Sequence, residues 1–339
     1  MPATTGIAMS RSAPLKYLHP GWFTVVMGLC GLSLAWYRAV PLMGEMAGAI
    51  ALALGVLAAL VFAVLAVAFG LRLSRHPEAW REDRRHPVRY PFVAAMPVAV
   101  ILLATVATAL LGPARWIEAV WWLGCMVQLA VTVWVLQHWW HDAQSGGLQW
   151  PGVTPAMLIP VVGNVLAPLA GVPLGRVEWS AAQFGVGLVF WPVVIGLLAT
   201  RVALRGPWPE RFRPTAFILV APPAVVGLSA LQFGASALLA WMCWGAAAFA
   251  VVWAGTQARR IAALPFALPH WGLSFPLAAF AALTLRLAEP GSALAGFAPV
   301  VLALASLVIA WLSLATWRGL RDGSLLAPEP VATIQPAAA

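Results

Sequence analysis

The stretch His270-Trp271-Gly272-Leu273-Ser274-Phe275-Pro276-Leu277 lies in a long run, Ile261 to Leu285, that holds no Asp, Glu, Lys or Arg. An apolar run of this length crosses a bilayer as a helix. Pro276 removes a backbone donor and is expected to kink that helix. In hydrocarbon the carbonyl freed by the kink needs a partner, so a kinked span faces protein or a water-filled cavity rather than lipid. Phe275, directly before the kink, would point its ring at whatever the kink surrounds. The reading is a pore plugged by Phe275, and the rest of the sequence tests it.

Of 339 residues, 62% are hydrophobic and 9% charged, against roughly 25% charged in soluble domains. The chain is therefore an all-α integral membrane protein. Its net charge of +9 comes almost wholly from Arg, with Lys16 the sole Lys. These residues lie in loops between apolar runs, which assigns them to topology and not to nucleic acid. Cys30, Cys125 and Cys243 sit far apart in apolar segments and read as small core residues. No His/Cys/carboxylate cluster has metal spacing and no glycine-rich loop precedes a Lys, so neither an enzyme nor a cofactor is expected.

Ten spans are predicted, at about 20–37, 47–71, 91–112, 117–140, 153–170, 180–200, 214–232, 236–258, 269–288 and 294–317. With the N-terminus inside, 16 basic residues fall in inner segments and only Arg38, Arg115, Arg176 and Arg286 fall outside. That bias places both termini in the cytoplasm. The expected organisation is a short cytoplasmic N-terminus (1–18), a ten-helix channel domain (19–318) and a short cytoplasmic tail (319–339). His19, His86 and His270 are placed at cytoplasmic mouths, and His138 and His141 at the outer end of the fourth span. Each His is read as an interfacial hydrogen-bonding residue. Several Trp, among them Trp22, Trp116 and Trp317, fall near span ends, as an interfacial belt requires.

A repeat runs through the spans. From the third onward, each odd span begins behind a Pro and meets another inside: Pro91 and Pro97, Pro155 and Pro160, Pro214 and Pro222-Pro223, Pro269 and Pro276. The first has Pro20, then Gly28 and Gly31. Among even spans only Pro192 and Pro299 break the pattern. The repeat is a helical hairpin of roughly 60 residues. Five of them, each with one kinked and one mostly straight helix, suggest five kinked inner helices ringed by five outer ones.

The spans hold neutral polar residues (Thr24, Ser33, Thr105, Thr108, Gln128, Thr132, Asn164, Gln183, Ser229, Gln232, Ser274 and Thr284) and no evident carboxylate relay of the proton-coupled kind. An uncharged pore still prefers anions when helix N-termini, with their positive partial charge, face its mouth. Arg89, Arg213, Arg259 and Arg260 would concentrate anions at that mouth. Gly28, Pro97, Pro160, Asn164, Pro223 and Pro276 are the candidates to line or shape the pathway.

Four stretches also carry a resemblance: His86-Pro87-Val88-Arg89, Val162-Gly163-Asn164, Ala221-Pro222 and Ser274-Phe275-Pro276-Leu277. In order and placement they resemble the tellurite-resistance/dicarboxylate transporter family, and within it the plant slow-type anion channels and their bacterial homologues. The resemblance spans about residues 18–318. It implies ten helices in five hairpins, a quasi-fivefold ring of kinked inner helices around a central pore, a homotrimer with one pore per subunit, an occluding Phe that falls on Phe275, and permeation of small inorganic anions such as chloride and nitrate. The long soluble regions of the plant channels are not expected here, and the Arg/Ala/Trp-rich composition is bacterial in character, which points to a cytoplasmic (inner) membrane. The first functional expectation is a passive anion channel gated by Phe275. The alternative is a secondary transporter or exporter of sulfite, tellurite or a C4-dicarboxylate such as malate.

Overall fold

The computed structural model describes residues 14–141 and 147–327. Most of the expected N-terminal segment (1–13, with Arg11) and the end of the expected tail (328–339) lie outside the described residues. The described residues form helices joined by short loops, with no strand among them, and nine of the helices are long and apolar enough to cross a membrane. In chain order with one shorter broken segment, the spans are α1 (Pro20–Met43), α2 (Glu45–Arg75), α3 (Tyr90–Leu111), α4 (Arg115–His138), α5 (Pro155–Gly171), α6 (Val177–Arg205), α7 (Glu210–Gln232), α8 (Ala237–Gly255), α9 (Leu268–Leu287) and α10 (Ala293–Arg321).

Odd and even spans differ in burial. In the apolar centres of α1, α3, α7 and α9, 61 to 83% of residues are buried, against 22 to 33% in α2, α4, α6, α8 and α10. In α5 every residue but Leu169 is buried. The even spans turn large apolar side chains outward, among them Val64, Leu123, Val189, Phe249 and Leu307. Such a surface has no place in water and suits lipid. Each odd span packs on the even span that follows it. α1 also packs on α3 and α9, α3 on α5, α5 on α7, and α7 on α9.

The odd-to-even connections are short, and each carries one glycine of positive φ: Gly44, Gly112, Gly175, Gly234 and Gly291. At Gly44, with φ of 71°, a single left-handed residue ends α1 and starts α2. A Cβ is disfavoured in that conformation, so Gly fits the tightest of the five turns.

The prolines act differently from mid-helix kinks. Every odd span opens as a 3-10 helix and then turns α: at Thr24 in α1, Ala95 in α3, Leu158 in α5, Ala221 in α7 and Ser274 in α9. Pro97, Pro160, Pro223 and Pro276 are each the third residue of the α segment. At that position a Pro removes no α-type bond within the α segment itself, because the first four N–H groups of such a segment look back to residues before it. Pro91, Pro155 and Pro269 thus open their 3-10 segments and Pro97, Pro160 and Pro276 their α segments, whereas Pro214 lies inside its 3-10 segment, ahead of Pro223. By contrast Pro192 and Pro299 lie inside the long helices of α6 and α10. The fifth span, expected as one helix, is broken by a 3-10 turn at Gly163–Leu166.

His138 requires a correction. Its ring stacks on Tyr90, the first residue of α3, with centroids 5.3 Å apart. The C-terminal end of α4 therefore shares the arginine-rich side with the start of α3, as two connected antiparallel helices demand, so His138 does not lie at the end opposite those arginines.

Candidate functional site

One cavity, partly open to the outside, is lined from all five odd spans. Thr24 and Met27 come from α1, Phe92 and Val98 from α3, and Leu158 and Val162 from α5. α7 adds Thr215, Ile218 and Val225, and α9 adds Trp271, Phe275 and Pro276. The lining holds no ionisable side chain. Its two hydroxyls are already committed as donors, Thr24 to the Gly21 carbonyl at 2.7 Å and Thr215 to the Phe212 carbonyl at 2.6 Å. What remains is an apolar chamber into which the N-terminal ends of the odd spans converge.

Phe275 is 9% exposed, and that remnant faces the chamber. Two glycines of α1 set its position. A Cβ at Gly31 would lie 3.0 Å from Phe275 Cδ2 and 3.1 Å from Ala278 Cβ. Gly31 therefore leaves room for the ring against α1. A Cβ at Gly28 would meet Ser274 Oγ, and would stand 2.6 Å from Ser274 Cβ. Gly28 is thus a close-approach site between α1 and α9, and it is absent from the lining. The start of α9 is pinned further by Trp271, fully buried, whose Nε1 donates to Thr316 Oγ1 of α10 at 2.8 Å.

The other pathway candidates separate in the same way. Pro276 lines the chamber; Pro97, Pro160, Pro223 and Asn164 do not. Asn164 turns away from the chamber into a polar cluster between α5, α4 and α6. Its Nδ2 donates to Thr132 Oγ1 at 2.8 Å and to the Pro160 carbonyl at 3.1 Å, and its Oδ1 accepts from Gln183 Nε2 at 3.0 Å. The Pro160 carbonyl also accepts from Gln128 Nε2 at 2.8 Å and Thr132 Oγ1 at 2.6 Å. These bonds satisfy the backbone where α5 breaks, which hydrocarbon requires. Gly163 leaves space for them, since a Cβ there would lie 2.5 Å from Gln128 Nε2 and 2.6 Å from Val98 Cγ2.

The four mouth arginines are not equivalent. Arg89 Nη1 reaches Asp83 at 3.3 Å and Glu82 at 3.6 Å. Arg213 reaches Glu210 at 3.1 Å and Gln257 Oε1 at 3.3 Å. Arg259 and Arg260 are exposed, on a short helix between α8 and α9. None of the four lines the chamber. Sequence reading missed a cluster that organises this side. Asp83, fully buried in the helix Pro77–Arg85, pairs with buried Arg72 of α2 at 2.7 Å and with Arg89 ahead of α3. Burial pushes the Asp83 carboxyl above its ordinary range, against the pull of Arg72 and then Arg89. Three of the histidines make local bonds to the backbone. His19 Nδ1 accepts from Gly21 N at 3.1 Å, His86 Nδ1 accepts from Val88 N at 3.2 Å, and His270 Nδ1 lies 3.0 Å from the Ala267 carbonyl.

Comparison with known families decides the lineage. Residues 17–318 match the family described as voltage-dependent anion channel, SLAC1. The chain belongs to this family. It is 27% identical over 236 residues to a tellurite resistance protein TehA homolog of Haemophilus influenzae, covering 67% of this chain and 68% of that one. It is 24% identical over 219 residues to the S-type anion channel SLAH2 of Arabidopsis thaliana, covering 62% of this chain but 40% of the plant protein. An uncharacterised transporter of Methanocaldococcus jannaschii is 22% identical over 295 residues, 79% of this chain and 83% of that one. The chain is thus an integral membrane protein of an anion channel and transporter family, not of an enzyme family.

Proposed function

We propose that the five odd spans ring a central pathway through which small inorganic anions, such as chloride and nitrate, pass passively, and that Phe275 occludes it. The observation that carries this reading is the chamber itself, lined from all five odd spans, with Phe275 in its wall and no ionisable group. A lining without carboxylate or imidazole offers no relay for coupled protons. The N-termini of the odd spans supply positive partial charge at the mouth, and Arg259 and Arg260 raise the local anion concentration. A bulky apolar constriction closes such a path by steric block and dewetting. The arginine bias supports cytoplasmic termini in a bacterial inner membrane. A homotrimer with one pathway per subunit is the proposed assembly, readable by native mass spectrometry.

The test is anion current through the purified protein in a planar bilayer, wild type beside Phe275→Ala. Current that rises about tenfold or more and reverses at the anion equilibrium potential supports the gate. The kinship with a tellurite resistance protein favours one second reading, a carrier for sulfite, tellurite or a C4-dicarboxylate. Absence of current in both proteins, with proton-dependent uptake of such a substrate into liposomes, would establish that reading instead.

A further inference from the structure

A second hollow, open to the outside, lies away from the chamber, between the helix Pro77–Arg85 and the C-terminal end of α4. It is lined by Arg81, Arg84, Arg85, Trp134 and His138. The three arginines stand at i, i+3 and i+4, which brings them onto one face of a short helix. The carboxylates of that helix are spent elsewhere. Asp83 is buried against Arg72 and Arg89, Glu82 lies 3.6 Å from Arg89, and Glu78 lies 3.3 Å from His76. Among the described residues none of Arg81, Arg84 and Arg85 has a carboxylate within 4.0 Å. Three like charges crowded into one turn, with their natural partners turned away, call for an anion from outside the chain.

The opposite wall fits the rest of such a ligand. Trp134 and His138 meet edge to face at 4.7 Å, and His138 stacks on Tyr90. The His138 Nδ1 lies 2.8 Å from the Trp134 carbonyl, which leaves Nε2 as the ring's remaining polar atom. Arg84 is held over the Trp80 ring at 5.4 Å, so one guanidinium is positioned in advance. Immediately along α4 the outward surface becomes apolar at Val133, Val127 and Met126. A guanidinium cluster at the foot of an apolar helix face, rimmed by Trp, matches a phosphate whose non-ester oxygens accept paired N–H bonds. Clustered arginines beside a membrane span recognise anionic lipid by the same chemistry.

We propose that this hollow binds a phosphate group, presented by an anionic phospholipid headgroup or as free phosphate. The site is separate from the chamber and stands whether or not Phe275 is a gate. The test compares the full chain with the triple variant Arg81→Gln/Arg84→Gln/Arg85→Gln. The double variant Arg318→Gln/Arg321→Gln controls for loss of generic basic charge. Each protein, shown to be folded by its melting temperature in phosphatidylcholine nanodiscs, is titrated with phosphatidylglycerol and separately with inorganic phosphate. Binding is read by native mass spectrometry and by the shift in melting temperature. The expected result is phosphatidylglycerol retention by wild type and control, with at least about tenfold weaker retention by the triple variant. Protection by inorganic phosphate as well would assign the site to free phosphate; protection by the lipid alone would assign it to the headgroup. Equal retention by wild type and triple variant, or no preference for either ligand over phosphatidylcholine, would overturn the proposal. Should the triple variant fail to fold, Arg81→Gln alone, on the exposed face of the helix, carries the same comparison with a smaller loss expected.

Discussion

α9 and α5 begin alike and end up doing opposite things. Both open as 3-10 turns, both become α with a Pro at the third position, and both carry a residue the sequence marks out, Phe275 in one and Asn164 in the other. Phe275 faces the chamber, while Asn164 faces away from it, into Thr132, Pro160 and Gln183. The difference follows from what each side chain needs. An aromatic ring needs only space, which Gly31 leaves. A buried amide needs several partners, and it finds them between helices rather than in an apolar chamber. Polarity inside a membrane span is thus a poor guide to a pathway when neighbouring spans hold partners for it.

Breaking the polar side of the comparison should have the largest effect on stability. Asn164→Leu leaves Gln183 and Thr132 without their amide partner and should cost about 2–3 kcal/mol, read as a lower melting temperature in detergent. The ratio of Phe275→Ala current to wild-type current should survive. Gly163→Ala presses a methyl onto Gln128 Nε2 and Val98 and should cost about 1–2 kcal/mol by overpacking. An unchanged melting temperature in both variants would remove the polar cluster as the reason α5 holds its broken form.

On the Phe275 side the effects should be on current more than on stability. Gly31→Ala pushes the ring off α1 toward the chamber, so current should fall by about threefold, with a stability cost below about 1 kcal/mol. In a Phe275→Ala background the same substitution should change current very little, because the coupling is through the ring. Equal effects in both backgrounds would place Gly31 outside the gate. The smallest effect is expected at the mouth. Arg259→Gln/Arg260→Gln should lower conductance by less than about twofold at low ionic strength, and the difference should vanish at 1 M salt, where charges are screened within about 3 Å. Arg89→Gln should behave differently, as a loss of stability, because it removes a partner from buried Asp83.

The architecture was legible because hydrocarbon leaves few choices. Apolar run length gave the spans, and the alternation of prolines matched the alternation of burial between odd and even helices. The meaning of each Pro was less legible. A pair such as Pro269 and Pro276 fits a kink as well as it fits two successive helix starts, and only the backbone separates them. The break in α5 was hidden for a related reason, since its signal is distributed. Gly163 makes room, and Gln128, Thr132 and Gln183 supply the bonds from other spans. Among the candidate residues, Phe275 and Pro276 line the chamber, whereas Gly28 shapes it from behind through its contact with Ser274. The cluster of Arg72, Asp83 and Arg89 escaped notice because loop arginines were counted for topology, and a count does not tell a buried pair from a solvated charge.

The most direct test of the central claim is a side-chain size series at one position. Single-channel current across a chloride gradient would be measured for wild type and for Phe275→Ala, Phe275→Leu and Phe275→Trp, each shown to be folded. Current that falls steadily from Ala through Leu to Phe and Trp, with the reversal potential fixed at that of chloride, is the predicted result. Folded variants that all carry the same current would contradict it, and Phe275 would then be packing in the wall and no gate.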